Sequence, residues 1–341
     1  MRIPILLNCS VILLLAMTGL VSVAHAREGR LGPDEKQNPR ELLIPRDDDS
    51  FDPLEALHGS FSTPVHCAKI PGGLWVETDG KGECIRHYAQ GIAYGENPLA
   101  IVYFGGDVLL RNSKGERFIA PAYAEHTPGS FNADMKLLSE RSGLPAIFIA
   151  RPGTYGSSGD HTLRRYSREI ELIDGAIAQI RMRYGISHFI LAGQSGGGHI
   201  VASLLNRRKD VTAAVISSGL VSVRQVMAYW ENRRDIPGST LYDADAFYDP
   251  VDDVAKITRE PQPQIILISD RDDRVVPFET QAHYVKELRR AGFQPVHILA
   301  KGDGANNHVL SRHLRLAAAL VAQGSKPDKI RSMVKQIEPL E

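Results

Sequence analysis

From Leu74 onward, short and continuous apolar runs alternate with amphipathic stretches, and this alternation limits the fold more than any other feature. AIVYF (100–104), AIFIA (146–150), FILAG (189–193), VTAAVIS (211–217), QIILIS (264–269) and PVHILA (295–300) are each four to seven residues long. They are bounded by Gly, Pro or polar residues. Such runs are expected of strands buried on both faces of a parallel sheet. Between them lie helical patterns. NADMKLLSERSG ends on a glycine. Ile170, Ile173, Ile177, Ile180 and Tyr184 step by three and four along one face before Gly185. IVASLLNRR and ETQAHYVKELRRAG continue the series. Upstream, LWVET and CIRHYAQ predict a strand pair around Asp79-Gly80-Lys81-Gly82. Strand and helix alternating this regularly imply a mostly parallel central sheet flanked by helices, wound by right-handed crossovers.

The remaining segments frame this core. Residues 1–26 carry one charged side chain, Arg2, then the run VILLLAMTGLV and Ala24-His25-Ala26. A basic start, a short apolar centre and an A-x-A end describe a secretory signal peptide cleaved after Ala26; the run is shorter than the roughly 20 residues a membrane span needs. A secreted or periplasmic product is expected, with no membrane association once the segment is removed. Removing Arg2 changes 40 basic against 40 acidic residues to 39 against 40, and near-neutrality argues against a nucleic-acid partner. Cys67 and Cys84 remain as an even pair, expected to form a disulfide in an oxidising compartment. Residues 27–62 are polar and proline-rich, with Asp47-Asp48-Asp49, and read as an extended leader. Residues 63–323 form the α/β domain and 324–341 a C-terminal tail. Within the domain, residues 220–260 are too long for an ordinary connection and hold Tyr229, Trp230, Tyr242, Phe247 and Tyr248. They read either as a small cap over a pocket or as a peripheral helix pair with aromatic anchors.

The chemistry centres on Gly193-Gln194-Ser195-Gly196-Gly197. A serine hydroxyl needs a base to take its proton and must stand clear of its surroundings. Gly-x-Ser-x-Gly between a strand and a helix meets the second need, because glycines permit a sharp strained turn. FILA before it and HIVASLL after it supply the strand and the helix. In QIILISDRDDRVVPFET a buried strand runs into an acidic loop with three candidate carboxylates, Asp270, Asp272 and Asp273, ahead of Val276-Pro277. In the late loop GDGANN, His308 is preferred as base over His297, which lies in a strand, and His313, one turn further on. His199, four residues beyond the serine, is expected to be structural, and the scattered histidines give no metal-ligand spacing.

These stretches, in the order serine, acid, histidine, resemble the α/β-hydrolase superfamily over roughly residues 74–323, including its esterase and prolyl-oligopeptidase-like branches. The resemblance implies an α/β-hydrolase fold with Ser195 as nucleophile, His308 as general base and, as the acid that orients it, Asp273, whose spacing to Val276-Pro277 fits the family's pattern best, with Asp272 and Asp270 as competitors. It implies oxyanion donors at the backbone N–H of Gly196 and, from Phe104-Gly105-Gly106-Asp107, that of Asp107, with Gly106 the nearest alternative. Gly105 stands where the family often has histidine. Arg151-Pro-Gly-Thr-Tyr-Gly-Ser-Ser-Gly partly matches an Arg-Gly-x-Gly-x-Ser loop, with Pro152 inserted; it would either shape the pocket or be a structural turn. The expected activity is hydrolysis of a carboxylic ester on a small-molecule or polymer-borne acyl substrate, without metal or organic cofactor. A serine peptidase acting on short peptides is the alternative; one of the prolyl-oligopeptidase type would usually bring a large propeller domain. A non-catalytic binding protein of the same fold is a second alternative, which predicts loss of a triad member.

Overall fold

A computed structural model describes residues 29–93 and 95–340; the expected signal peptide lies outside them. Eight strands form the central sheet: β1 (Gly73–Thr78), β2 (Lys81–Gln90), β3 (Asn97–Phe104), β4 (Ala146–Ile149), β5 (Ile186–Gln194), β6 (Val211–Ser217), β7 (Gln264–Ser269) and β8 (Val296–Leu299). Their spatial order is 8-7-6-5-3-4-2-1. The β1–β2 and β2–β4 pairs are antiparallel and the rest are parallel. Thr78 pairs with Lys81, so the hairpin turns on Asp79 and Gly80 alone, both with positive φ. That is the two-residue turn whose twist suits paired strands.

The main helices are α1 (Pro53–His58), α2 (Pro128–Ser142), α3 (Ser167–Tyr184), α4 (Gly196–Leu205), α5 (Val223–Glu231), α6 (Phe278–Arg290), α7 (Ser311–Ala322) and α8 (Pro327–Val334), of which α1 and α5 are peripheral to the central sheet. Alternate residues of each strand serve opposite faces. Val102, Phe104 and Leu191 meet Ile173 and Ile177 of α3, Ile200 of α4 and Leu288 of α6. Ile101, Tyr103 and Ile190 meet Met135 of α2, Leu314 of α7 and Ile330 of α8. Because both faces are covered, the strands tolerate no polar alternation, which is why they read as unbroken apolar runs.

Two peripheral segments depart from their sequence reading. The leader is more than an extended strand: Asp52 caps α1 by accepting the Leu54 N–H at 2.8 Å, with Pro53 at the first helical position. Leu42 joins Cys67, Ile70 and Cys84 in one buried cluster, Leu31 joins Leu57 and Leu109 in another, and Phe51 enters the main core against Tyr123, Phe131 and Tyr155. These apolar residues are few and irregularly spaced, each filling a separate socket, so no periodicity announced them. The tail likewise contains α8, whose Ile330 and Val334 are fully buried. Phe51→Ala is therefore expected to destabilise the fold by about 3–5 kcal/mol, the usual cost of truncating a core phenylalanine. Urea unfolding checks this; a change below about 1 kcal/mol would mean the leader is dispensable to the core.

Cys67 and Cys84 form a disulfide across a separation of 17 residues, fastening the turn at Pro64–Cys67 to β2. No helix among the described residues is long and apolar enough to cross a membrane.

Candidate active site

Parallel pairing sets Gly193 beside Phe104 and Gln194 beside Ser217, so β5 delivers Ser195 to the carboxyl edge of the sheet between two neighbours. The serine has φ 54° and ψ −118°, a strained conformation outside the ordinary regions for a side chain with a Cβ. The turn closes only because its glycines lack side chains. A Cβ on Gly193 would lie 2.2 Å from the Gly197 carbonyl oxygen, and one on Gly197 would lie 2.3 Å from that of Phe104. One on Gly196 would lie 2.1 Å from Asp107 Oδ1. As the first residue of α4, Gly196 has an N–H with no intrahelical partner, at the positive end of the helix.

The structure brings Ser195, His308 and Asp273 together. His308 Nε2 is 2.9 Å from Ser195 Oγ, and Nδ1 is 3.0 and 2.9 Å from the two oxygens of Asp273. A carboxylate only accepts, so Nδ1 carries the proton and Nε2 is left to accept from the serine hydroxyl. Asp273 Oδ1 also accepts the N–H groups of Val275 and Val276 at 2.8 and 2.9 Å, which fixes the carboxylate, and its side chain is fully buried. The other two carboxylates have different occupations. Asp270 is buried and accepts from the N–H groups of Asp272 and Gly302 at 2.9 and 2.8 Å, bracing the loop. Asp272 is exposed and pairs with Lys301.

Gln194 was not singled out by sequence, yet it connects the elbow to the histidine loop. Its Nε2 donates to the His308 carbonyl at 3.0 Å, while Oε1 accepts from Ser217 Oγ at 2.6 Å and from the Leu310 N–H at 3.1 Å. Only the pattern position was legible; two of the side chain's three partners, His308 and Leu310, are more than a hundred residues away.

The loop after β3 lies against the elbow. A Cβ added to Gly106 would stand 3.3 Å from that of Ser195. The Asp107 side chain is buried among Arg151, Arg164 and Arg165. Burial acts to raise its pKa, but Arg165, Arg151 and Arg164 outweigh burial and hold it well below the usual carboxylate value. Arg151 also reaches Glu169 at 2.8 Å. The 151–159 loop is thus a structural brace: besides this ion pair, Ser157 and Ser158 accept the Arg86 and Cys84 N–H groups, both at 2.8 Å.

Residues 220–260 form one wall of the cleft at Ser195. Trp230 donates to the Val275 carbonyl at 3.1 Å, fastening α5 to the acid loop, and Phe247 meets Tyr166 edge-on at 4.9 Å. Met227, Trp230, Tyr242 and Phe247 line a cleft of about 590 Å³ that also contains Ser195 and His308. The aromatics are therefore both anchors and lining. Pro33 of the leader lies on the opposite rim.

Three further histidines, His87, His161 and His199, are structural. His87 is 2.6 Å from the Gly72 carbonyl through Nδ1, His161 is 3.1 Å from that of Pro152, and His199, beneath the elbow, is 2.9 Å from that of Tyr248. Burial drives their pKa values down from 6.5 to about 4, 3 and 4. The unfolded chain protonates first, so their stabilising contribution is full above about pH 6.5 and is lost as pH falls toward 4. Glu55, raised by burial to about 7, acts in the opposite sense, as do Glu83 and Asp249, also raised by burial, whereas His297, driven down to about 4 by burial, adds to the imidazoles. The thermal midpoint is accordingly expected to fall steadily between pH 6.5 and 4. A midpoint flat across that interval would show that these imidazoles do not titrate on unfolding.

The strand order, the strained serine between β5 and α4, and the acid and histidine on the loops after β7 and β8 define an α/β-hydrolase. Among solved structures, the chain is similar to the acylaminoacyl peptidase of Pyrococcus horikoshii (TM-score 0.51, 15% identity, 76% of this chain and 43% of that one). It is also similar to an esterase of Pyrococcus furiosus (TM-score 0.50, 12% identity, 86% and 97%). These likenesses establish the fold; the chain spans about two fifths of the length of the acylaminoacyl peptidases it matches. No curated protein matches it by sequence. Residues 174–323 match the prolyl oligopeptidase family, a segment that contains Ser195, Asp273 and His308. The likenesses give the chain an α/β-hydrolase fold, and the triad lies within the segment that matches the family.

Proposed function

We propose that this chain is an exported carboxylic-ester hydrolase working through an acyl-enzyme on Ser195. The observation that carries the reading is the unbroken hydrogen-bond chain from Ser195 through His308 to a buried Asp273, at 2.9 Å and 2.9 Å, opening on a cleft. Ser195 Oγ bonds to the ester carbonyl carbon as its proton passes to His308 Nε2. The bond to the alcohol then breaks and the alcohol leaves with that proton. Water, giving a proton to His308, cleaves the acyl–Oγ bond, releasing a carboxylic acid and restoring the serine. The N–H groups of Gly196 and Asp107 stabilise the oxyanion, each worth about 3 kcal/mol of barrier.

Ester is favoured over a peptide held by its free amino terminus because, among the described residues, the one acid lining the cleft, Asp107, is taken by three arginines and is not available to receive an ammonium. Export is supported by the basic, apolar and A-x-A order of residues 1–26 and by the Cys67–Cys84 disulfide, a bond that persists in oxidising compartments. The mass of the mature amino terminus reads the cleavage site directly. Amide hydrolysis is the second reading, favoured by the match of residues 174–323 to the prolyl oligopeptidase family. Parallel assays on p-nitrophenyl esters and aminoacyl-naphthylamides separate the two. Esters are expected to show the higher kcat/KM, and naphthylamides cleaved as fast or faster would make amide hydrolysis the function.

A further inference from the structure

The cleft carries a charge that the chain as a whole does not. Lysine and arginine balance aspartate and glutamate at 40 each, yet five arginines, Arg111, Arg117, Arg164, Arg165 and Arg234, line the cleft of Ser195 against one carboxylate, Asp107. Asp107 is already shared by Arg151, Arg164 and Arg165, and Arg151 also engages Glu169. Among the described residues, Arg111, Arg117 and Arg234 have no carboxylate partner. Arg111 donates to the Gly115 carbonyl at 3.0 Å, Arg117 to those of Gly32 and Glu35, and Arg234 to the Tyr242 hydroxyl. Neutral acceptors satisfy N–H groups but leave the charge uncompensated.

Solvation does not account for the cluster, because Arg117 and Arg165 are more than nine-tenths buried, and the Nε of each is buried without a partner. Burial, followed by the repulsion of Arg164, Arg117 and Arg234, lowers the Arg111 pKa to about 10. Like charges gathered in a partly buried wall repel one another, and an anion placed among them relieves that repulsion. A guanidinium also presents paired N–H donors that suit an oxyanion.

We propose that Arg111 and Arg234 recognise an ionised oxyanion group, such as a carboxylate or a sulfonate, that the substrate carries beside its scissile ester. This specificity rests on the ester-hydrolase reading. It makes the cleft selective for acyl substrates with a second, charged end.

The test compares p-nitrophenyl hemiglutarate with the neutral p-nitrophenyl hexanoate on the wild-type protein, with p-nitrophenyl 4-sulfobutyrate as the arm that separates carboxylate from sulfonate. The anionic esters are expected to exceed the neutral one in kcat/KM by about tenfold or more at low salt, a gap that added salt narrows. Arg111→Gln and Arg234→Gln should each reduce the ratio of anionic to neutral turnover by about tenfold. Arg289→Gln, at an exposed position on α6 outside the cleft, controls for bulk charge and should leave the ratio unchanged. Calorimetry with free glutarate and propanesulfonate reads the site without turnover, so an inactive serine would sink the hydrolase reading and leave the anion site measurable. Binding that weakens in both variants supports the proposal. Equal turnover of charged and neutral esters, or no binding of either anion by the wild type, overturns it.

Discussion

Ser195→Ala is expected to lower kcat on a p-nitrophenyl ester by about a millionfold, leaving only what binding and the oxyanion donors provide. The size of the loss follows from the site's economy. The Oγ atom is the group that His308 Nε2 contacts at 2.9 Å. Among the described residues no cysteine lines the cleft to substitute as nucleophile. The unfolding midpoint should barely change, because the elbow is held by backbone and by its glycines: the Ser195 N–H donates to the Ser217 carbonyl at 2.9 Å, and its carbonyl accepts from Gly198 and Leu220. Steady-state kinetics and thermal denaturation of the same preparation check both halves. Activity within tenfold of wild type would remove Ser195 from the chemistry.

Asp273→Asn should cost about four orders of magnitude in kcat, whereas Asp272→Asn should stay within about twofold of wild type. The asparagine oxygen can still accept the N–H groups of Val275 and Val276, so the loop keeps its shape. Its amide, however, turns a donor toward His308 Nδ1. The imidazole then carries its proton on Nε2 and can no longer accept one from the serine. Asp272 is exposed and pairs with Lys301, a surface pair of small energetic weight. Measuring kcat/KM for both variants decides the acid, since the opposite ranking would assign it to Asp272.

The three acids show why the site was only partly legible in the sequence. Spacing to Val276-Pro277 favoured Asp273, but what separates it from Asp270 is the partner each meets: His308 for one, the Gly302 N–H for the other. Those partners lie some thirty residues away in sequence, beyond the reach of local pattern. The sheet was readable because the parallel strands β3 to β7 are largely buried on both faces and so appear as plain apolar runs. Strand order is tertiary: nothing local says that β4 inserts between β3 and β2. The leader illustrates the reverse problem, since Leu31, Leu42 and Phe51 enter three different clusters and share no periodicity. The cationic cleft was the least visible feature, because its arginines come from positions 111, 117, 164, 165 and 234 in a chain of zero formal net charge.

The central claim is that Ser195 is an activated nucleophile, and covalent capture reads it without reference to any particular substrate. Wild-type protein treated with a fluorophosphonate and digested should carry one phosphonyl adduct, mapped by mass spectrometry to the peptide containing Gly193-Gln194-Ser195-Gly196. The same treatment of His308→Ala should slow labelling by several orders of magnitude, because the base that activates Oγ is gone. An adduct on a different serine, or none on folded protein, would contradict the account.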